Sequence, residues 1–497
     1  MKVLLDPLEK RALAFLYALY TEERWWTEKE LSTIGNCSAN TTYRTINHLK
    51  AFSLKLDSKF IIITKKNKGI FLKTSSFHSI GEIEADFLKD SVSYQLIDLI
   101  FQQKGLTTQL LTEKLYLSPS TVYRKLKQIR HFFSKNGLKF DLNSLLVAGP
   151  EHLIREFYYR FYWSVIKSTK WPFKIPTFIT VSEMFKQKEP MMALKLSEIE
   201  QIQFLYRLAI NQIRHHEQHF FTEPPDKQIL DPHFQRYSTD MKLFIPVTTP
   251  SEFLENEWSF LALVLVSNPV FEEQHGDYQM KISWHKEKQT LPYSFSKKIL
   301  HTFLTLYPAV TKQHQEKILY KLLCVYLSLI IFADLQLTHS NSQDFMEKFE
   351  LENPNFFNRI KQMMDDLWYL FPKEANPHIQ NYLLYHILLI LSTSIDINHL
   401  KSQIHIKLIC HIEPLSEEYL KQRLIKQSSH HLVVNTSTSE ETKDRQFDLL
   451  LSDIYLPSHL SQKATNYYIW DFPPTERDWQ NIFQTIDKIT STRESVS

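Results

Sequence analysis

Two thirteen-residue stretches of one design, eighty positions apart, limit what this chain can fold into more than any other feature. Ser38-Ala39-Asn40-Thr41-Thr42-Tyr43-Arg44-Thr45-Ile46-Asn47-His48-Leu49-Lys50 and Ser118-Pro119-Ser120-Thr121-Val122-Tyr123-Arg124-Lys125-Leu126-Lys127-Gln128-Ile129-Arg130 align in register. Ser, Thr, Tyr and Arg are identical, and Ile/Leu, Leu/Ile and Lys/Arg exchange conservatively. Each begins on a serine suited to cap a helix, and Pro119 fits the first helical position, where its missing N–H costs nothing. In the second copy Tyr123, Leu126, Ile129 and Phe133 recur every three or four residues. That spacing predicts one apolar face, with Ser120, Thr121, Arg124, Lys125 and Gln128 on the other. Short polar side chains at a helix start, followed by cations, suit a helix that reads base edges and neutralises phosphates. The segments before the copies, 27–34 with Thr27 and Glu30 as a capping box and 107–115, read as helices ending in a tight turn. Both copies therefore read as helix-turn-helix units.

Charge follows the repeat. The first 150 residues hold 22 Lys and Arg against 14 Asp and Glu, so they carry +8 and the remainder −5 of the net +3. At 497 residues the chain exceeds one core, and several domains are expected. Six of seven glycines lie within the first 150 residues, which excludes a Walker A loop or dinucleotide fingerprint and disfavours nucleotide-driven enzymes. Cys37, Cys324 and Cys410 show no pairing or metal-ligand spacing, which fits a reducing cytosol. The start of the chain lacks a signal-peptide core, and the longest apolar run, 322–333, is too short to span a bilayer. A cytoplasmic protein without membrane contact, metal or cofactor is expected.

Along the chain, residues 7–20 read as an amphipathic helix. Segments 59–64 and 69–73 read as a hairpin with a basic tip at Lys65, Lys66 and Lys68, a wing. A polar, acidic link follows at 79–90, then a helix over 93–103 stopped by Gly105, the second helix-turn-helix, and a shorter hairpin of 138–140 and 145–147. From 151 to about 400 the pattern is almost wholly helical, with apolar-periodic segments near 151–168, 197–220, 251–266, 295–307, 312–334, 354–370 and 378–393. Gln203-Phe204-Leu205-Tyr206-Arg207-Leu208 echoes Lys317-Ile318-Leu319-Tyr320-Lys321-Leu322 at an offset of 114, which suggests two related helical modules. The last stretch alternates strand-like runs with helices at 416–427 and 476–489, implying a small α/β sandwich.

This order, with the Ser-x-x-Thr-x-Tyr-Arg helices and the Ala148-Gly149-Pro150-Glu151 to Ile154-Arg155-Glu156-Phe157 junction, resembles the Mga/AtxA family of transcriptional regulators of Gram-positive bacteria. The resemblance implies a mainly α multidomain chain. Winged helix-turn-helix units would occupy 1–76 and 77–150, helical modules similar to phosphotransferase-system regulation domains (PRDs) 151–285 and 286–402, and an enzyme-IIB-like α/β domain 403–497. It implies histidines that accept phosphate from the sugar-uptake phosphorelay, hence a phosphocarrier protein as partner, and a homodimer formed through the helical modules and tail. His219 best matches the phosphorylatable position, with His215 and His216 as neighbours. In the second module Ala333 stands opposite His219, so His339, His386 and His399 are candidates by proximity alone. His216 and His219 are one residue short of zinc-protease spacing and have no third ligand. Cys410 lies near the place of an enzyme IIB phosphocysteine, but a glycine-bearing loop does not follow, so the tail reads as a dimerisation or sensing module.

The expected function is a DNA-binding transcriptional regulator, an activator, without catalytic activity. Asn40, Thr41, Arg44, Asn47, Ser120, Thr121, Arg124 and Lys125 are expected at bases or phosphates of double-stranded DNA. Lys50, Lys65, Lys66, Lys68, Lys127 and Arg130 are expected to follow the backbone. The alternative is a protein-interaction adaptor of the phosphorelay that binds no DNA. A hydrolase finds no Gly-x-Ser-x-Gly, metal-ligand cluster or carboxylate pair in its favour.

Overall fold

The computed structural model describes residues 2–56, 59–74, 79–166, 171–192, 196–223, 239–267, 278–307, 310–332, 335, 342–370, 377–394, 403–411, 413–428, 430–436, 446–457 and 464–494. They form two units, Met1–Lys348 with Met363–His386, and Phe349–Gln362 with Ile387–Ser497.

In the first unit α1 (Pro7–Thr21) is followed by α2 (Glu28–Ile34) and α3 (Ala39–Lys55), then by strands β1 (Phe60–Lys65) and β2 (Gly69–Thr74). The strands pair antiparallel from Phe60 opposite Thr74 to Lys65 opposite Gly69. Trp26 extends this wing by exchanging backbone hydrogen bonds of 2.7 and 2.8 Å with Ile70. That close approach fixes Gly69, whose φ is +106° and whose missing Cβ would lie 2.1 Å from the Trp26 carbonyl oxygen. Gly69→Ala is expected to cost about 3 kcal/mol or more, because a Cβ is strained there and must displace backbone. Urea titration of the variant checks it, and an unchanged midpoint would count against the Trp26 contact.

Helices α6 (Thr108–Leu115) and α7 (Pro119–Lys135) with strands β3 (Lys139–Phe140) and β4 (Val147–Ala148) repeat the arrangement. The repeat extends to burial, since residues 31–47 and 111–127 run through the same order of buried, half-buried and exposed positions. The turns match as well, with Asn36 and Tyr116 both left-handed at φ 42° and 54°. The inward face of α7 is Val122, Lys125, Leu126, Ile129, Phe132 and Phe133. It is rotated from the stripe expected from sequence, so Tyr123 is exposed and Lys125 is inside.

The stretch expected to be a polar link is helix α4 (Ile80–Asp90), capped by Ser79. It buries Ile83, Phe87 and Leu88 and turns carboxylates toward the first winged unit. Lys59 meets Glu82 at 2.6 Å and Asp86 at 2.7 Å, and Lys55 meets Asp90 at 2.9 Å. Helix α5 (Val92–Gln102) leads into the second winged unit. One cluster of buried apolar side chains runs from Leu4 through both winged units into α8 (Glu151–Ile166), α10 (Glu198–His216) and the helix Leu254–Val266. Helices Tyr278–Glu287, Leu291–Leu306 and Lys312–Phe332 pack on one another. The echo at offset 114 has a structural counterpart, because residues 201–210 and 315–324 share one burial order and Tyr206 and Tyr320 are both buried. Helices Phe178–Lys188 (α9), Tyr278–Glu287 and Ser342–Glu352 were not legible in the sequence pattern.

In the second unit β5 (Ile404–Ile409), β6 (Leu432–Asn435), β7 (Phe447–Ser452) and β8 (Ala464–Ile469) form a parallel sheet in the order β6-β5-β7-β8. Leu420 and Leu424 of the helix Pro414–Gln427 and Trp479, Ile482 and Ile486 of the helix Glu476–Glu494 close its core. Parallel strands, with the helix Pro414–Gln427 as the crossover from β5 to β6, are the small α/β layer expected.

Candidate nucleic-acid interface

Helices α3 and α7 are each set by their own first turn. Ser38 Oγ accepts from the Thr41 amide at 3.3 Å, and Ser118 Oγ accepts from the Thr121 amide at 3.3 Å. The helices before them are capped alike: Thr27 accepts from Glu30 while Glu30 Oε2 accepts from the Thr27 amide at 2.7 Å, and Thr107 accepts from Leu110 at 3.1 Å. With Leu31, Leu49, Leu111 and Ile129 fully buried, little freedom remains in how either helix sits on its unit.

The outward faces carry most of the residues expected there. Asn40, Arg44 and Asn47 are exposed on α3, and Ser120, Arg124, Lys127 and Arg130 on α7. Among the described residues neither Arg44 nor Arg124 meets a carboxylate. Thr41 and Thr121 are half-buried, their hydroxyls within 3.0 and 2.9 Å of the capping serines. Lys65, Lys66 and Lys68 are exposed at the wing tip, and half-buried Lys50 donates to Thr64 Oγ1 at 2.8 Å, tying α3 to β1. Lys125 belongs elsewhere and is a correction to the expected list. It is 1% exposed, with Nζ 2.8 Å from Asp6 Oδ1 and 3.4 Å from Ser93 Oγ, and no face of it is open to a phosphate. The cause is the helical rotation already noted. Sequence reasoning missed Tyr43 and Tyr123, 62% and 49% exposed beside the arginines, with Lys127 4.6 Å over the Tyr123 ring. Their recurrence at one position of both copies was the available signal.

A second polar centre lies behind the second wing. Arg155, 1% exposed, meets Glu257 at 2.6 and 2.9 Å and Glu151 at 2.9 Å. Arg214 meets Glu151 at 2.7 and 2.8 Å, and His215 Nε2 lies 2.7 Å from Glu257. Burial works to raise the Glu257 carboxyl, but the His215 hydrogen bond and the Arg155 guanidinium outweigh it and hold it at about 2. Of the candidate histidines, His215 is buried in this cluster, while His216 and His219 are exposed. The His219 imidazole is lowered by partial burial and by Arg214. Its amide donates to the Arg214 carbonyl at 3.0 Å, and its own carbonyl accepts from Arg155 at 3.2 Å. A cavity of about 860 Å³ opens beside it, with Arg214, Phe220, Phe253 and Ala148 in its wall. His386 is half-buried against the rings of Tyr382 and Tyr385 at 4.5 and 5.1 Å. His339, His399 and Ala333 lie outside the described residues.

In the second unit burial pushes the Cys410 thiol up to about 12, with Asp453 and Glu417 adding to it. The Cys410 amide donates to Glu417 at 3.0 Å, so carboxylates stand where a phosphothiolate would need donors. Among the described residues no helix is long and apolar enough to cross a membrane.

Comparison with known proteins fits this geometry. Residues 76–162, which contain the second helix-turn-helix, match the family model of the Mga helix-turn-helix domain. The chain is 21% identical over 494 residues to the capsule synthesis positive regulator AcpB of Bacillus anthracis, covering 96% of this chain and 98% of that one. It is 22% identical over 492 residues to the anthrax toxin expression trans-acting positive regulator of the same organism, again covering 96% and 98%. The capsule synthesis positive regulator AcpA of that organism is 24% identical over 294 residues, 58% of this chain and 60% of its own. These relatives are regulators, not enzymes, and the matches agree with a regulator of the Mga/AtxA family.

Proposed function

We propose that this chain, a relative of the Mga/AtxA regulators, is a DNA-binding transcriptional activator that grips duplex DNA through both winged units. The observation that carries the reading is the repeated outward face, where Arg44 and Arg124 stand exposed at one position of two like-capped helices. The relatives' roles as positive regulators supply the direction of control.

Control would reach the DNA-binding end through the helical modules, read as PRDs. His219 and His216 offer exposed rings for phosphorylation by a phosphocarrier, whereas the Nε2 of His215 is engaged by Glu257. A phosphoryl group on His219 would add about −1.5 to −2 charge beside Arg214 and compete with Glu151 for that guanidinium. Glu151 opens α8 directly after Gly149 and Pro150 at the end of the second wing, so this competition bears on the wing's anchorage. The tail, read as an enzyme-IIB-like domain, would serve dimerisation. Leu415, Tyr419 and Ile425, 75%, 60% and 47% exposed on the helix Pro414–Gln427, support a role in assembly.

Salt dependence tests the DNA reading. If six or so phosphates are neutralised, log affinity for promoter duplex falls with log salt at a slope near −0.9 per phosphate, about −5 in all. Electrophoretic or anisotropy titrations between low and physiological salt measure it. A flat response would favour the adaptor of the phosphorelay.

A further inference from the structure

Lys125 breaks the repeat at a buried position. The first copy has Thr45 there, satisfied locally by the Thr41 carbonyl at 2.8 Å. The second copy buries an ammonium and aims it out of its own unit, at Asp6 Oδ1, 2.8 Å away. Asp6 caps α1, the first helix of the other winged unit, in a capping box with Glu9. Ser93 of α5 donates to the Leu4 carbonyl at 3.0 Å and lies within 3.4 Å of the Lys125 ammonium, so residues 4–6 are held from α5 and α7 of the second winged unit. A buried lysine costs stability unless its partner stays in place, which makes the pair sensitive to the relation of the two winged units.

Resting on the DNA-binding reading, we propose that Lys125 and Asp6 are a positioning pair that locks the two recognition helices into one fixed spacing. The chain then reads two DNA elements at a single separation. Lys125 touches no DNA; it acts on where Arg124 and Arg44 stand. The carboxylates of α4 on Lys55 and Lys59 brace the same junction from the wing side.

Two variants separate this role from simple folding. Lys125→Met keeps the length of the side chain and removes the buried charge. Asp6→Asn keeps a good helix cap and removes the carboxylate. The first readout needs no DNA: the exposed Tyr43 and Tyr123 are replaced by p-acetylphenylalanine, spin-labelled and diluted with unlabelled full-length chain for electron-electron distance measurement. One narrow distance is expected with the native pair and a broadened distribution in either variant. An equally narrow distribution in both variants overturns the lock, and so does a broad one in the native chain.

The second readout uses a duplex footprinted by the native chain, with 5 or 10 base pairs inserted between the protected elements. The native chain should lose at least about tenfold in affinity with either insertion, because a rigid pair can follow neither, a loss on the scale of one good base contact. The variants should lose less than threefold between the same duplexes while holding a single element as the native chain does. Native binding indifferent to both insertions overturns the lock while leaving DNA binding intact. A chain with a narrow spin distance that binds no duplex with a salt slope sinks the DNA reading and leaves the lock standing.

Discussion

Glu257→Gln is expected to lower the unfolding free energy at neutral pH by about 3–5 kcal/mol, the cost of breaking a buried ion pair from one side. Glu257 is fully buried and accepts from Arg155 twice, from His215 and from the Phe221 amide at 2.8 Å. A neutral amide leaves Glu151, which Arg214 already shares, as the one carboxylate on Arg155 among the described residues. The pH dependence has a definite sign. A carboxyl held at about 2 in the fold and at its ordinary 4.5 when unfolded contributes stability that is present above 4.5 and lost as pH falls toward 2. The gap between native and variant chains in urea should therefore narrow with acid. A variant within about 1 kcal/mol of the native chain at pH 7, or a gap that widens on acidification, would show that the cluster does not hold α8, α10 and the helix Leu254–Val266 together.

Physical periodicity decided what the sequence could reveal. Where one side of an element is apolar and the other polar, as in α3 and α7, or where a short run is apolar on both faces, as in β7, the pattern predicts the element to within a few residues. Where the inward face is itself polar, it does not. Tyr278–Glu287 turns Lys281 and His285 inward, so no apolar stripe marks it, and in α4 the short inward stripe of Ile83, Phe87 and Leu88 is interrupted by the carboxylates of Glu82, Glu84 and Asp86. Lys125 shows the same limit within a correctly placed helix. A lysine in a cationic segment reads as exposed unless its partner, 119 residues earlier in the chain, is known. The outward residues Arg44, Arg124 and the wing lysines were legible because exposure needs no partner. The cluster of Arg155, Glu257 and His215 was not, because it joins residues far apart in the chain that carry no shared motif.

The largest effect on binding is expected when both arginines are removed. Arg44→Ala and Arg124→Ala should each weaken promoter binding by about 1–3 kcal/mol. If the two helices engage one duplex, the double variant should lose about 2–6 kcal/mol, because contacts at separate positions add. If only one helix engages it, the double variant should match the worse single one. The salt slope distinguishes what each side chain touches. Lys66→Ala and Lys68→Ala, at the exposed wing tip, should each reduce it by about 1, as expected for phosphate contacts, while an arginine on a base edge should change affinity with little change in slope. Lys125→Met should leave the slope unaltered, since its ammonium is spent on Asp6. Equal affinity of native chain and double variant at fixed salt would remove both helices from the interface, and with them the reason for the repeat to keep its arginines outside.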